Sequence, residues 1–388
     1  MRSIETNRPN GAGGGIAINP GMTRRTFIKA SAALIAAAAA DLPLPLAAQT
    51  KPVEARYYER LEQKRIRCLL CPRECLVGDG ERGFCRVREN RNGAYHTLVY
   101  ARPCAIHLDP IEKKPFFHVL PGTQALSLAT VGCNLTCKFC QNWQISQSSP
   151  EDAETENTPP SRIVEQALTL RTPSVAFTYG EPIVFIEYAE DIARLARQNG
   201  LRSVVVSNGY IRKDPLLNLC GLVDAIKVDL KAFEESYYRD ICGATLQPVL
   251  DTILQIRSRK VWLELVYLVV PTLNDDEAKI ADMARWVSAN LGPDVPLHFS
   301  RFYPQYRLEN LPPTPVSTLD RAYEICRAEG LHYVYVGNVP GHRAESTFCP
   351  KCSKKVITRS GYRLESLDVV NGKCRFCGHE IPGIWREA

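Results

Sequence analysis

Residues 125–140 read Ala125-Leu-Ser-Leu-Ala-Thr-Val131-Gly-Cys133-Asn-Leu-Thr-Cys137-Lys-Phe-Cys140, an apolar run of strand length leading straight into a CxxxCxxC loop. Three thiolates this close cannot complete a tetrahedral zinc shell alone. They can hold three irons of a [4Fe–4S] cube, which normally takes four cysteines, so the fourth iron stays open to an exogenous ligand. An open iron is a place for chemistry as well as electron storage. The competing account is three free or zinc-bound thiols at this spacing by chance, and the rest of the chain decides between the two.

Outward from this stretch the chain alternates. Strand-like runs fall at 125–131, 174–178, 203–207, 223–229, 262–270, 297–302 and 332–337. Helical patterns fall between them at 161–172, 183–199, 215–221, 246–259, 275–291 and 317–330. Ser161 and Asp275 read as N-caps, and Gly200, Gly292 and Gly330 as stops. Repeated βα units predict an α/β fold with a parallel sheet, here a partial (βα)6 TIM-like barrel. The polar motifs gather at one end of it. Cys133–Cys140 follows the first strand, Tyr179-Gly180-Glu181-Pro182 the second, Ser207-Asn208-Gly209-Tyr210 the third, and Asp229-Leu230-Lys231 ends the fourth. Asn274 and Asp275 follow the fifth, and His298 lies on the sixth. Active sites of βα barrels are built at the carboxyl ends of the strands. Each motif alone is a common turn or a structural histidine; their recurrence at one end is the signal.

Of fifteen cysteines, eleven fall in three groups at metal-ligand spacing. Cys349-Pro-Lys-Cys352 and Cys374-Arg-Phe-Cys377 form paired CxxC knuckles, a zinc-ribbon pattern with rubredoxin-like iron as the alternative. Cys68, Cys71, Cys75 and Cys85, with glycines between the last two, make a knuckle that fits zinc or a second iron–sulfur cluster equally. Cys104 is a spare ligand for it; Cys220, Cys242 and Cys326 read as buried thiols. The segment 51–64 has helical spacing and reads as a surface helix, and 97–117 as a solvated β-hairpin connection.

The formal net charge is +6, of which +3 lies in residues 1–48, and this argues against a nucleic-acid partner. That segment reads as an address. Arg24-Arg25 sits in a twin-arginine motif followed by the apolar run 30–40 and a plausible cleavage point at Ala47-Ala48. It predicts export to the periplasm by the twin-arginine translocase, a cytoplasmic protein being the alternative. The resulting division is 1–48 signal, 49–122 Cys-rich region, 123–342 core and 343–388 ribbon-like module.

The chain resembles radical S-adenosylmethionine (SAM) enzymes, with Phe139 as the aromatic residue before the last cysteine of their signature. More narrowly it is similar to the radical SAM proteins of the AmmeMemoRadiSam system, relatives of the pyruvate formate-lyase activating enzymes. The residues that carry this are Cys68-x-x-Cys-Pro-x-x-Cys75, Asp109-Pro-Ile-Glu-Lys-Lys-Pro115, Val131–Asn134, Cys140-Gln-Asn142, Tyr179–Pro182, Asp229–Phe233, His298–Pro304 and the terminal ribbon. The resemblance implies a [4Fe–4S] cluster on Cys133, Cys137 and Cys140, with SAM chelating the open iron. One-electron cleavage of SAM would then give a 5′-deoxyadenosyl radical that takes hydrogen from a substrate. It further implies that Gly180 and Glu181 bind the methionyl amine, that Phe139 borders adenine, and that Ser207 and Asn208 face ribose or carboxylate. Asp229 and Lys231 would close the pocket, and His298 would contact SAM or substrate. Gly180-Glu181 departs from the two-glycine form of that motif. A low-potential donor of ferredoxin or flavodoxin type is the implied partner. The substrate is a protein that receives a radical or a small metabolite; a non-catalytic iron–sulfur or zinc protein is the alternative.

Overall fold

Runs rich in valine, alanine and leucine such as Ser174–Phe177 and Ala225–Asp229 are buried almost end to end, which suits strands covered on both faces of a parallel sheet. The computed structural model describes residues 52–386; the twin-arginine segment and the signal assigned to 1–48 lie outside the described residues. Eight strands form one mixed sheet in sequential order: β1 (Ala105–Pro110), β2 (Gln124–Ala129), β3 (Ser174–Phe177), β4 (Arg202–Ser207), β5 (Ala225–Asp229), β6 (Trp262–Val269), β7 (Leu297–Arg301) and β8 (Val334–Gly337). β2 to β8 are parallel, and β1 joins the edge antiparallel to β2. Six helices make the crossovers: α1 (Pro160–Thr169), α2 (Ile186–Gln198), α3 (Lys213–Cys220), α4 (Gln247–Arg257), α5 (Glu277–Leu291) and α6 (Val316–Ala328).

Local chemistry accounts for the ends. Proline opens α1 at Pro160, so the expected cap at Ser161 falls inside the helix. Asp276 caps α5, accepting from Lys279 N at 2.9 Å, while its neighbour Asp275 instead accepts from Thr272 N in the preceding turn. Within segment 51–64, the described residues 52–64 form no α-helix. They pair as short antiparallel strands, Val53–Glu54 and Tyr58–Arg60, and Tyr57, Gln63 and Lys64 carry positive φ values that a helix cannot hold. The stretch after β1 is likewise not solvated. Phe116, Val119 and Leu120 pack on Ala125, Ala176, Val204 and Ala225, small or β-branched residues at the starts of the strands.

Register places charge on one face of the sheet. Lys227 pairs with Glu264, and Asp229, Val266, His298 and Tyr335 lie level across β5 to β8. His298 stands near the start of β7 and Asp229 at the end of β5 because successive strands are staggered, as in sheets that curl. At the C-terminus short antiparallel strands (Thr347–Phe348, Lys355–Ser360, Arg363–Leu367, and the pair Val369–Val370 with Lys373–Cys374) and the turns beside them hold the last four cysteines, of which only Cys374 lies on a strand. Among the described residues no helix is long and apolar enough to cross a membrane.

Candidate active site

The carboxyl ends of the parallel strands, the segment 112–117 and Tyr362 of the C-terminal module enclose a cavity of about 390 Å³. Cys133, Cys137, Cys140, Phe139, Gly180, Glu181, Ser207, Asn208, Asp229, Lys231 and His298 all line it, so the structure brings every residue expected of the central site to one place. The volume lies within the roughly 300–1,000 Å³ of small-molecule sites.

The cysteine loop is held from behind. Cys133 Sγ accepts from Leu135 N at 3.4 Å, and Asn142 N–H supports Cys140, whose sulfur also lies 3.2 Å from Ser146 Oγ. Thr136 N and Lys138 N bond the carbonyls of Cys242 and Ile241 at 3.0 Å each, stitching the loop to the turn Tyr238–Cys242. The Cys137 and Cys242 thiols are linked in their ionisation: Cys242 helps hold the Cys137 thiol below its ordinary range, while burial pushes Cys242 up. Asn134 Oδ1 accepts from Asn208 Nδ2 at 2.8 Å, tying the loop to the end of β4.

Glu181 is a junction. Its carboxylate accepts from Ser207 Oγ at 2.8 Å, Asn208 N at 2.8 Å and Ile183 N at 3.1 Å, so three donors already occupy most of its about four acceptor positions. Burial raises its carboxyl to about 7 despite those donors. Gly180 passes so close to Thr130 O that a Cβ would stand 3.0 Å from it. Tyr179, at φ +62°, turns its hydroxyl to Asp109, which also takes the ammonium groups of Lys113 and Lys114.

Asp229 lies between Lys227 and Lys231. Burial opposes its ionisation, but the two ammonium groups outweigh burial and hold the carboxyl at about 2. Burial opposes the charge on Lys231 too, and Asp229 with the Cys137 and Cys242 sulfurs overcomes it. Lys231 Nζ stands 5.6 Å from the Phe139 ring centre. His298 donates Nε2–H to Glu264 Oε2 at 2.7 Å; burial keeps the ring neutral, so Nδ1 is its acceptor side. Glu264 also receives Phe117 N, His118 N and Trp262 Nε1.

Sequence reading missed Lys227, Glu264, Lys114 and Cys242. The alternation Lys227-x-Asp229-x-Lys231 was a usable signal, since residues two apart on a strand share a face. Cys242 had none, because its partner lies far along the chain.

The two terminal quartets differ. Cys349 and Cys377 stand 3.6 Å apart at sulfur and Cys352 and Cys374 3.7 Å apart. All four sulfurs lie within 4.8 Å of one another, the one group of this kind among the described residues. A tetrahedron with metal–sulfur bonds of 2.3 Å has edges of about 3.8 Å, so this quartet fits a single metal ion. The sulfurs of Cys68, Cys71, Cys75 and Cys85 do not gather within 4.8 Å of one another. Cys104, the spare ligand suggested for the N-terminal knuckle, lies directly before β1 with its N–H on Ala129 O at 2.8 Å.

A family model described as the radical SAM superfamily matches residues 127–284. The chain is 44% identical over 330 residues to the Methanocaldococcus jannaschii protein MJ0808, covering 84% of this chain and 98% of that one. It is 26% identical to a GTP 3′,8-cyclase of Limosilactobacillus fermentum, covering 59% of this chain and 74% of the relative. It is 23% identical to pyruvate formate-lyase 1-activating enzyme of Escherichia coli K12, covering 38% and 61%.

Proposed function

The chain belongs to the radical SAM superfamily, whose matched relatives include a GTP 3′,8-cyclase and an activating enzyme, and from that membership we propose that the cavity holds a [4Fe–4S] cluster on Cys133, Cys137 and Cys140 with SAM beside it. The observation that carries this reading is that three loop thiols and six polar residues (Glu181, Ser207, Asn208, Asp229, Lys231 and His298), contributed by four strands and the turns after them, line one cavity of small-molecule size. The donor set fits the group: three soft sulfurs on one loop leave an iron open, and amine- and carboxylate-binding groups stand across from them. When bound, the cluster and SAM supply one-electron cleavage of the sulfonium and a 5′-deoxyadenosyl radical that abstracts hydrogen from a substrate.

The chain's own part is placement. Glu181 locks Ser207 and Asn208, which leaves Asn208 Nδ2 3.9 Å from Cys133 Sγ, beside the loop that would hold the cluster. Lys227 and Lys231 keep Asp229 ionised as a partner for an amine or ribose hydroxyl. Phe139, Val266 and Leu268 give the cavity apolar walls that exclude water from a reactive radical. His298 is held neutral, with Nδ1 available to accept from SAM or substrate.

The finer reading is a protein of the AmmeMemoRadiSam type, with the sheet curled as a partial barrel and a zinc ion on Cys349, Cys352, Cys374 and Cys377. Sequential strand order with helical crossovers supports the curl, and sulfur spacing supports the zinc. Anaerobic reconstitution followed by dithionite and SAM is expected to yield 5′-deoxyadenosine; no product from a fully loaded cluster overturns the reading. An added partner protein that acquires a stable radical signal marks an activase, and consumption of a metabolite from an extract marks a small-molecule substrate.

A further inference from the structure

We propose that Cys68, Cys71, Cys75 and Cys85 hold a second [4Fe–4S] cluster that passes single electrons from a low-potential carrier protein to the cluster on Cys133, Cys137 and Cys140. The function of this centre rests on the radical SAM reading; its existence does not.

The quartet has the backbone of a built metal site. Burial pushes the Cys68, Cys71 and Cys85 thiols up, and the amides of Leu70, Arg73 and Val87, each two residues on, act in the opposite sense. Phe84 N lies 3.5 Å from Cys75 Sγ. The same support from two residues on recurs at Cys133 and Cys140 in the central loop and at Cys374 and Cys377 in the terminal quartet. Amide dipoles aimed at sulfur favour thiolates and tune the metals they hold. What separates the three groups is spread. The terminal quartet closes to single-ion spacing, whereas neither the central three nor the N-terminal four gather within 4.8 Å. A cube puts each thiolate on a different iron and so needs the wider arrangement.

Position gives the second centre its task. Gly132, directly before Cys133, has φ +94°, and a Cβ on it would stand 2.8 Å from Cys85 O and 2.6 Å from Val87 Cγ1. Arg73, between Cys71 and Cys75, donates Nε to Asn134 O at 2.6 Å and reaches Gly243 O beside Cys242. Ligand-bearing backbone of one group therefore touches ligand-bearing backbone of the other. Outward, Cys75 and Cys85 are only part-buried, and Leu76 and Phe84 stand exposed next to them, an apolar landing place for a carrier. The step balances as one electron throughout. The carrier is oxidised by one, the second cluster is reduced and reoxidised by one, the central cluster gains one, and no atom or proton moves.

The test begins with Cys133→Ala, Cys137→Ala and Cys140→Ala combined, reconstituted anaerobically with ferrous iron and sulfide. About four iron and four labile sulfide per chain should remain, with a paramagnetic signal after dithionite. Adding Cys68→Ser and Cys71→Ser should remove them while zinc stays. Zinc without sulfide, or iron unaffected by those serines, overturns the site. Should the serines unfold the knuckle, labile sulfide in the triple-alanine protein alone still decides, since a single-ion site has no place for it. The relay is read in the protein with its central loop intact and Cys71→Ser. Photoreduction through a small dye should still reduce the central cluster, and reduced flavodoxin should not; equal reduction by flavodoxin overturns the relay. Failure of the radical SAM reading looks different: both clusters load and reduce, and no 5′-deoxyadenosine forms.

Discussion

His298 Nε2 lies 2.7 Å from Glu264 Oε2, and neither side chain reaches solvent by more than 3%. Glu264 comes from β6 and His298 from β7, and the same carboxylate takes the backbone N–H groups of Phe117 and His118 and the indole of Trp262. One buried carboxylate thus fixes a cavity-lining histidine and the segment that closes the cavity. Glu264→Ala leaves three buried donors and one part-buried indole without an acceptor and should cost about 3–5 kcal/mol. Glu264→Gln keeps one amide oxygen and should cost less. Urea unfolding measures both, and a Glu264→Ala protein as stable as its parent would show that the junction does not carry this load.

Cys242 should act on the central cluster without holding it. Its ionisation is linked to that of Cys137, and a thiol able to hydrogen-bond a cluster sulfur raises the reduction potential. Cys242→Ala should load the same iron and sulfide as the parent but reduce at a more negative potential, and Cys242→Ser should restore part of the difference. Redox titration followed by paramagnetic resonance separates this from a packing defect, which would lower iron content instead.

Asp229 ties stability to acid. The carboxyl ordinarily titrates near 3.8 and in the fold at about 2, so the folded state favours its ionised form. Its contribution is complete above 3.8, fades as pH falls towards 2, and is absent below. Asp229→Asn should be less stable at neutral pH, where Lys227 and Lys231 lose their counter-charge, and should lose less stability over that acid window. Urea midpoints against pH give the comparison; parallel curves would mean that the two lysines do not set this carboxyl.

The strands were legible because each is an apolar run bounded by turn residues, and burial on both faces leaves that run uninterrupted by alternation. The paired CxxC knuckles were legible for a different reason, since ligand spacing is local. Segment 51–64 was misread because tyrosine, arginine and glutamate suit a helix pattern as well as a strand; only pairing of Val53 with Thr97 and of Tyr58 with Cys68 settles it. Lys227 and Glu264 were passed over because a charge inside an apolar strand acquires meaning only with register, which sets Lys227 opposite Glu264.

Export hangs on residues outside the described part of the chain. On the twin-arginine reading, Arg24→Lys with Arg25→Lys in a reporter fusion should abolish delivery to the periplasm, because the translocase reads the pair itself rather than its charge. An unchanged distribution removes the assignment. Delivery that is lost with the lysine pair would place cluster assembly before translocation, since SAM and low-potential donors belong to the cytoplasm.

Arg359 carries the C-terminal module's hold on the cavity. It donates Nη2 to Phe117 O at 2.6 Å and Nη1 to Thr347 Oγ1 at 2.9 Å, and its guanidinium carbon sits 4.2 Å over the Phe117 ring. Its Nε faces Glu112 Oε1 at 3.9 Å, with both side chains fully buried. Each also keeps one polar atom, Arg359 Nε and Glu112 Oε2, without a hydrogen-bond partner. A buried pair of this kind is costly to split, because the surviving charge is left in low dielectric. Arg359→Met should lose about 3–5 kcal/mol, and Arg359→Met combined with Glu112→Gln should recover much of it. On the zinc reading of the C-terminal quartet, removal of the ion acts on the same seam from the other side. Cys374→Ser should release the ion, lower the melting temperature and loosen the wall that Tyr362 gives the cavity, while iron on Cys133, Cys137 and Cys140 is retained. Metal analysis and thermal unfolding of the two variants read the outcome, and joint loss of zinc and iron would show that the module and the central site do not load independently.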